Sequence, residues 1–316
     1  MPKTALIAVG GNSLIMAGQR GTLDEQYGNA LHTAENIVKM IKDGWKIIIT
    51  HGNGPQAGAA LLRSERASGE VYTHTLDMCV ATTQSEIGYL MQRALEEVLG
   101  ANGLSRMVAV IPTMVAVDPA DQAFDDPTKP IGPFYTKEVA NQKKKKLGWD
   151  IVEDASRGYR RVVPSPLPTE VLQLELIKKT VDMDVIVIAC GGGGIPVMKK
   201  ENGRIEGLEA VIDKDRSSAL LAGSLGVDMF IISTEADQAY LNFKKPNQEG
   251  IRKATVNEMV KYMEEGHFAP GSMKPKIESV VTYIKNGGKH ALITNYDKLD
   301  EALKGNAGTH VLADTN

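Results

Sequence analysis

Cysteine is almost absent. Cys79 and Cys190 are the two thiols in 316 residues, each inside an apolar stretch. Two cysteines cannot build a disulfide framework, so a core held by packing in a reducing compartment is expected. A large charge imbalance is missing too: 36 Lys and Arg stand against 39 Asp and Glu, a net charge of −3 with neutral histidines. That balance argues against DNA, RNA or an anionic membrane as the main partner, since each favours a basic surface. No apolar run approaches the ~20 residues of a membrane span, and the run at 5–9 is too short for a secretory signal. The expectation is a soluble, cytoplasmic protein without nucleic-acid or membrane partners. The histidines show no metal-ligand spacing, so no direct metal ligand is assigned. The phosphate-binding motif G-x-x-x-x-G-K-[ST] and the kinase signatures H-R-D and D-F-G are also missing.

What is present is an ordinary globular composition, 42% apolar and 24% charged, arranged as alternating strands and helices. The apolar run 6–9 reads as a buried strand. Leu23, Tyr27, Ala30, Leu31, Ala34, Ile37, Val38 and Ile41 then recur at spacings of three and four, one face of a helix, closed by Gly44. Further strands are expected at 45–50, 107–117, 184–189, 229–233 and 291–294. Helices are expected at 75–99, 169–183, 215–226, 255–266 and 276–286, with an Asn-Gly hairpin across 197–205. The run 184–189 is apolar on both faces, as a strand in a covered parallel sheet must be. The fold class that follows is α/β: a three-layer α/β/α sandwich around a mostly parallel central sheet. Four prolines between 118 and 134 break this rhythm. Together with a short helix at 136–147 and a turn at 157–159, they predict a small protruding insertion over 118–164.

Glycine-rich turns follow three of the apolar strands: Gly10-Gly11-Asn12, Gly52-Asn53-Gly54 and Gly191 to Gly194. Glycine allows close backbone approach to an anion, and a following helix N-terminus favours negative charge. Any one of these turns is equally well explained by a need for positive φ, and it is their number that favours a phosphate or carboxylate pocket. Gly52 to Ala57 also fits the dinucleotide fingerprint G-x-G-x-x-G/A, but the nearest acidic partner, Asp77, sits at a predicted helix start rather than a strand end. A dehydrogenase is therefore the weakest of the enzyme readings. Lysines also stand in unusual company. Lys214 lies between Asp213 and Asp215 where a helix begins, Lys276 lies at another helix start, and Lys129 lies among prolines. Exposed lysines are common, with Asp213 or Asp215 an N-cap. A lysine at a helix N-terminus nevertheless opposes the dipole, and an anionic ligand would remove the conflict. The run 143–146 is read as a solvated helix end.

Five segments together carry a resemblance: 8–14 (Ala-Val-Gly-Gly-Asn-Ser-Leu), 51–56 (His-Gly-Asn-Gly-Pro-Gln), 191–197 (Gly-Gly-Gly-Gly-Ile-Pro-Val), 211–215 (Val-Ile-Asp-Lys-Asp) and 270–273 (Pro-Gly-Ser-Met). The chain resembles the carbamate kinases of the amino-acid kinase superfamily, essentially end to end. The resemblance implies phosphoryl transfer between ATP and carbamate, giving ADP and carbamoyl phosphate, with Mg²⁺. It also implies a homodimer and a place in arginine metabolism, running towards ATP. Carried over by motif, Lys129, Lys214 and Lys276 would contact the transferring phosphoryl group, and Asp215 would hold lysines in place. Gly10, Gly11, Asn12, Gly52, Asn53 and Gly54 would bind the carbamate end, and Ser233, Asp237, Tyr240, Gly271, Ser272 and Met273 would border the nucleotide. Residues 1–210 would then form the acceptor side and 211–316 the nucleotide side. Many superfamily members carry a lysine two places before the Gly-Gly pair, where this chain has Ala8; Lys129 would supply that charge. A kinase acting on acetylglutamate or aspartate, and a non-catalytic nucleotide sensor, remain the competing readings.

Overall fold

The computed structural model describes residues 2–10, 14–16, 18–153, 158–269 and 272–314. Its centre is an eight-stranded sheet in the order Lys253–Thr255, Thr309–Leu312, His290–Thr294, Met229–Ser233, Thr4–Val9, Lys46–His51, Ile186–Ala189, Val108–Ile111. Every neighbouring pair is parallel except His290–Thr294 with Thr309–Leu312.

Alternation along the strands divides the core in two, because successive side chains point to opposite faces. Leu6, Ala8, Ile48, Phe230 and Ile232 pack with Ile177, Leu221, Met259 and Val280 from the helices Leu174–Asp182, Lys214–Leu225, Val256–Glu264 and Met273–Lys285. Ala5, Ile7, Ile47, Ile49 and Ile231 pack the other way, onto the helices Leu23–Lys42 and Leu76–Ala101. The chain is thus the α/β/α sandwich that its pattern predicts. Capping chemistry sets several boundaries. Thr22 with Glu25, and Thr255 with Glu258, form capping boxes, and Gly226 ends its helix in the left-handed conformation.

Two of the expected elements form differently, and the helix Gly54–Arg66 and the strands Lys253–Thr255 and Thr309–Leu312 were not among those expected. The expected strand at 107–117 is two strands, Val108–Ile111 in the main sheet and Met114–Val117 in a separate four-stranded sheet with Ile205–Gly207, Ile195–Lys199 and Pro168–Val171. Pro112 has no N–H for a ladder, and the Thr113 hydroxyl donates to the Ile111 carbonyl at 2.6 Å, closing a local turn between them. The expected helix at 169–183 begins only at Leu174, because Pro168–Val171 pairs with Met114–Val117. Its helical period was carried by residues that the partner strand captures instead.

The insertion forms a three-stranded antiparallel sheet of Lys129–Tyr135, Tyr159–Val163 and Ile151–Glu153, with the helix Lys137–Leu147 beside it. Pro130 and Pro133 lie on an edge strand, where a missing N–H is tolerated. The insertion is clamped to the helix Gly54–Arg66 by backbone contact: a Cβ on Gly58 would lie 2.0 Å from the Gly132 nitrogen. Only glycine fits there.

Burial pushes the His51 imidazole down to about 4 and that of His290 likewise to about 4. Unfolded histidines take up protons near their ordinary value of ~6.5, whereas the folded ones resist until about 4. Stability is therefore complete above ~6.5 and falls as pH drops towards 4. Between about pH 7.5 and 5, His51 alone should remove about 2 kcal/mol. Urea unfolding at the two pH values measures it, and equal midpoints would contradict the burial of a neutral His51.

Candidate active site

Parallel strands all deliver their carboxyl ends to one edge of the sheet, and ligands in open α/β sheets bind there. A cavity of about 620 Å³ lies along that edge, walled by Gly10, Gly52 to Gly54, Gly192 and Ser233 to Ala236, each at or just past a strand end. Three helices also begin at it: Gly54–Arg66, Lys214–Leu225 and Met273–Lys285.

Lys129, Lys214, Asp215 and Lys276 line this one cavity. So do Gly10, Gly52, Asn53 and Gly54, and, towards the other end of the sequence, Ser233, Tyr240, Ser272 and Met273. Asp237 is not among the lining residues; its carboxylate pairs with Lys298 at 2.9 Å. Gly11, Asn12 and Gly271 lie outside the described residues.

Two carboxylates organise the three lysines. Asp215 accepts from Lys214 Nζ at 2.5 Å through Oδ1 and from Lys276 Nζ at 3.0 Å through Oδ2. Asp213 accepts from Lys129 Nζ at 2.5 Å through Oδ2, while its Oδ1 caps the helix by accepting from the backbone N–H of Asp215 at 2.9 Å. Asp213 therefore joins the insertion to the helix that carries Lys214 and Asp215. Sequence reasoning considered it only as an N-cap, although its place before Lys-Asp was the available signal.

Electrostatics follow from burial. For both aspartates burial favours the neutral form, but the ammonium groups outweigh it and hold their pKa values below the usual carboxylate range: Lys129 and Lys214 at Asp213, Lys214 and Lys276 at Asp215. Burial also works against both buried lysines. It wins at Lys214, whose pKa lies below the usual lysine value. At Lys276 the Asp215 carboxylate outweighs it and holds the pKa above.

These contacts correct one expectation. The lysines do not depend on a bound anion to be tolerated, because Asp213 and Asp215 already balance them. Lys276 is also the fourth residue of its helix, which starts at Met273, rather than the first. Three lysines against two aspartates still leave one net positive charge among these five groups, held in a low-dielectric pocket where an anion is attracted strongly.

The glycine turns divide between the two explanations left open above. Gly52 and Gly54 border the cavity at the start of a helix whose N-cap Asn53 makes no side-chain cap bond. Asn53 Nδ2 donates instead to Thr83 Oγ1 at 2.9 Å. Gly54, whose N–H opens that helix without a side-chain cap, borders the cavity, which suits an anion. In the run 191–194, Gly192 lines the cavity, whereas a Cβ on Gly193 would lie 2.3 Å from the Ile212 carbonyl oxygen and one on Gly194 2.2 Å from Val115. Those two glycines serve packing. Asp77 is in the first turn of the Leu76–Ala101 helix and not at a strand end, so the dinucleotide fingerprint lacks its acidic partner.

At the far end, the Tyr240 and Phe243 rings pack with centroids 5.9 Å apart, beside Phe268 and Met273. The Ser233 hydroxyl is buried there without a hydrogen-bond partner. A buried polar atom left unpaired next to a cavity suits a ligand group. The cavity thus joins an apolar, aromatic end to a cationic, glycine-lined one, which fits a nucleotide base at one end and transferring phosphate at the other.

The sequence model of the Amino acid kinase family matches residues 3–295. The chain belongs to the amino acid kinase family. Curated relatives within it include a carbamate kinase of Trichomonas vaginalis, 46% identical over 97% of this chain and 98% of its own, and one of Thermococcus kodakarensis, 44% identical over 98% and 99%. Among solved structures, carbamate kinase from Giardia lamblia bound to AMP-PNP is similar with a TM-score of 0.91 at 40% identity, covering 99% of both chains. For this family member, the lysine placement depends on the insertion contact. Gly58→Ala improves helix propensity by about 1 kcal/mol but must push the insertion strand, and Lys129 with it, off its seat. Phosphotransfer turnover should fall about 10–100-fold, and the melting temperature should fall as well, because the backbone clash outweighs the gain in propensity; full turnover would show that the clamp does not set Lys129.

Proposed function

We propose that this enzyme transfers a phosphoryl group between ATP and carbamate, giving ADP and carbamoyl phosphate, and runs towards ATP in arginine breakdown. The observation that carries the reading is the junction of Lys129, Lys214 and Lys276 with the glycine turns in one cavity. The aromatic end, with Ser233, Tyr240, Ser272 and Met273, takes the nucleotide. Gly10, Gly52, Asn53 and Gly54 take carbamate; by motif alone, Gly11 and Asn12 are assigned to carbamate and Gly271 to the nucleotide. Residues 1–210 then supply the acceptor side and 211–316 the nucleotide side, across the shared central sheet.

Carbamate is already an anion, so no general base is needed to create the nucleophile. In the forward direction a carbamate oxygen forms a bond to the γ-phosphorus while the bond to ADP breaks. The transition state spreads charge over the equatorial oxygens, and catalysis becomes positioning plus cationic stabilisation. Three ammonium groups held by two carboxylates supply both without reorganising. Lys214, whose charge burial disfavours, gains most from the arriving negative charge. Among the described residues no cluster of three His, Cys, Asp or Glu could hold a metal, and Asp213 and Asp215 are engaged with lysines. Mg²⁺ would be carried by the nucleotide phosphates and would add cationic stabilisation to that of the lysines.

A homodimer belongs to the same reading; the exposed Met78 and Tyr89 on the Leu76–Ala101 helix offer it apolar surface. Two free, buried cysteines suit a cytoplasmic location. Among the described residues no helix is long and apolar enough to cross a membrane.

Incubation with carbamoyl phosphate and Mg·ADP should produce ATP, read by a coupled assay, and Lys214→Ala should lower turnover by about 10²–10³-fold. Silence with carbamoyl phosphate alongside phosphorylation of acetylglutamate or aspartate would overturn the substrate assignment. Near-normal turnover in the variant would remove Lys214 from the mechanism.

A further inference from the structure

The floor of the acceptor end is made by two turns that leave adjacent parallel strands, Lys46–His51 and Ile186–Ala189. Neither turn is held by its own backbone alone. Each is pinned by a side chain from one helix, Leu76–Ala101, through the consecutive residues Thr83 and Gln84. Thr83 receives the Asn53 amide. Gln84 does more. Its Nε2 donates to the Gly191 carbonyl at 2.7 Å and to the Thr113 carbonyl at 3.2 Å, and its Oε1 accepts from the Thr113 N–H at 2.9 Å. One side chain, 2% exposed, thus satisfies three buried backbone groups on two chain segments.

The surroundings leave this amide little freedom. A Cβ on Gly191 would lie 2.4 Å from His51 Nε2 and 3.1 Å from Gln84 Cγ, so Gly191 is pressed between the imidazole and the glutamine. The preceding Cys190 is forced into the left-handed region at φ +48°, a strained conformation for a residue with a side chain. Its N–H is held by the Thr113 hydroxyl at 3.0 Å. Gly192, the next residue along, faces the cavity, and a Cβ there would meet the Asn53 amide at 2.2 Å. Where Gly192 and Asn53 sit is therefore set by Gln84 and Thr83 behind them.

We infer that Gln84 is a positioning residue for the acceptor anion: by clamping Gly191 and Thr113 it fixes the Gly192 edge of the cavity floor against which carbamate or carbamoyl phosphate seats. The inference rests on the substrate reading above. It makes a substrate-selective claim, because the hydrogen bonds of Gln84 among the described residues go to Thr113 and Gly191, neither of them at the nucleotide end.

Gln84→Asn keeps the amide but is one methylene too short to reach both segments. KM for carbamoyl phosphate should rise about tenfold, on the scale of a lost buried hydrogen bond, with KM for ADP unchanged. Gln84→Glu sets a carboxylate against two carbonyls at neutral pH. A buried glutamate titrates upward, so lowering the pH returns a donor, and the KM ratio of variant to wild type should fall between about pH 8 and 6. A loosened fold would instead reduce the active fraction, lowering kcat without a selective KM change or a pH-dependent ratio. Stabilisation by inorganic phosphate, read as a melting-temperature shift, gives a second arm independent of turnover: at the same phosphate concentration both variants should show a smaller shift than the wild type. Equal shifts in all three proteins, or KM values for both substrates rising together, would overturn the clamp. A wild type that makes no ATP but whose phosphate shift is smaller in the variants would overturn the substrate assignment and keep the clamp.

Discussion

Three ammonium groups cannot share a largely buried site unless carboxylates hold them apart and lower their mutual repulsion. Asp213 and Asp215 meet that constraint here, each with one oxygen for one partner and the other oxygen for a second. Asp215 spans the helices Lys214–Leu225 and Met273–Lys285, and Asp213 spans the insertion and the first of these helices. Three elements distant in sequence are thereby locked into one constellation before any substrate arrives. Breaking such a pair leaves a buried uncompensated charge, which is far more unfavourable than never having built it. The network therefore fixes the relative position of the insertion and the sheet as well as the chemistry.

Hydrogen bonding and close packing do the corresponding work for the glycine turns. The Gly58 and Gly132 backbones touch, Gly193 lies against the Ile212 carbonyl, and Thr83 and Gln84 anchor the strand exits from behind. Glycine here is as much a consequence of close approach between chain segments as of anion binding. Gly52 and Gly54 serve the cavity, while Gly193 and Gly194 serve the interior, and identical residue types in similar turns have separate physical causes.

Much of this was legible in the residue pattern. Alternating apolar runs predicted the central sheet because each strand carries two buried faces, and Gly44 and Gly226 marked helix ends. Lys214 stood out because two aspartates flank it. Where the pattern failed, a long-range partner had won over local preference. The Pro168–Val171 segment became a strand because Met114–Val117 lies beside it, and the apolar run 107–117 was split by Pro112. Asp213 was visible only as a cap, since its second role depends on Lys129, 84 positions away. Gln84 gave no signal at all: a glutamine beside Thr83 on a mostly apolar helix face is legible only when the two backbones that it joins are seen together.

The lysine–carboxylate network is tested most directly by a double-mutant cycle between Lys129→Met and Asp213→Asn on kcat/KM for carbamoyl phosphate. Residues that share one contact give strongly non-additive effects. The double variant should therefore lose little more than the worse single one. Losses that simply add would mean that Lys129 and Asp213 act independently, and that the insertion is not held in place by this pair.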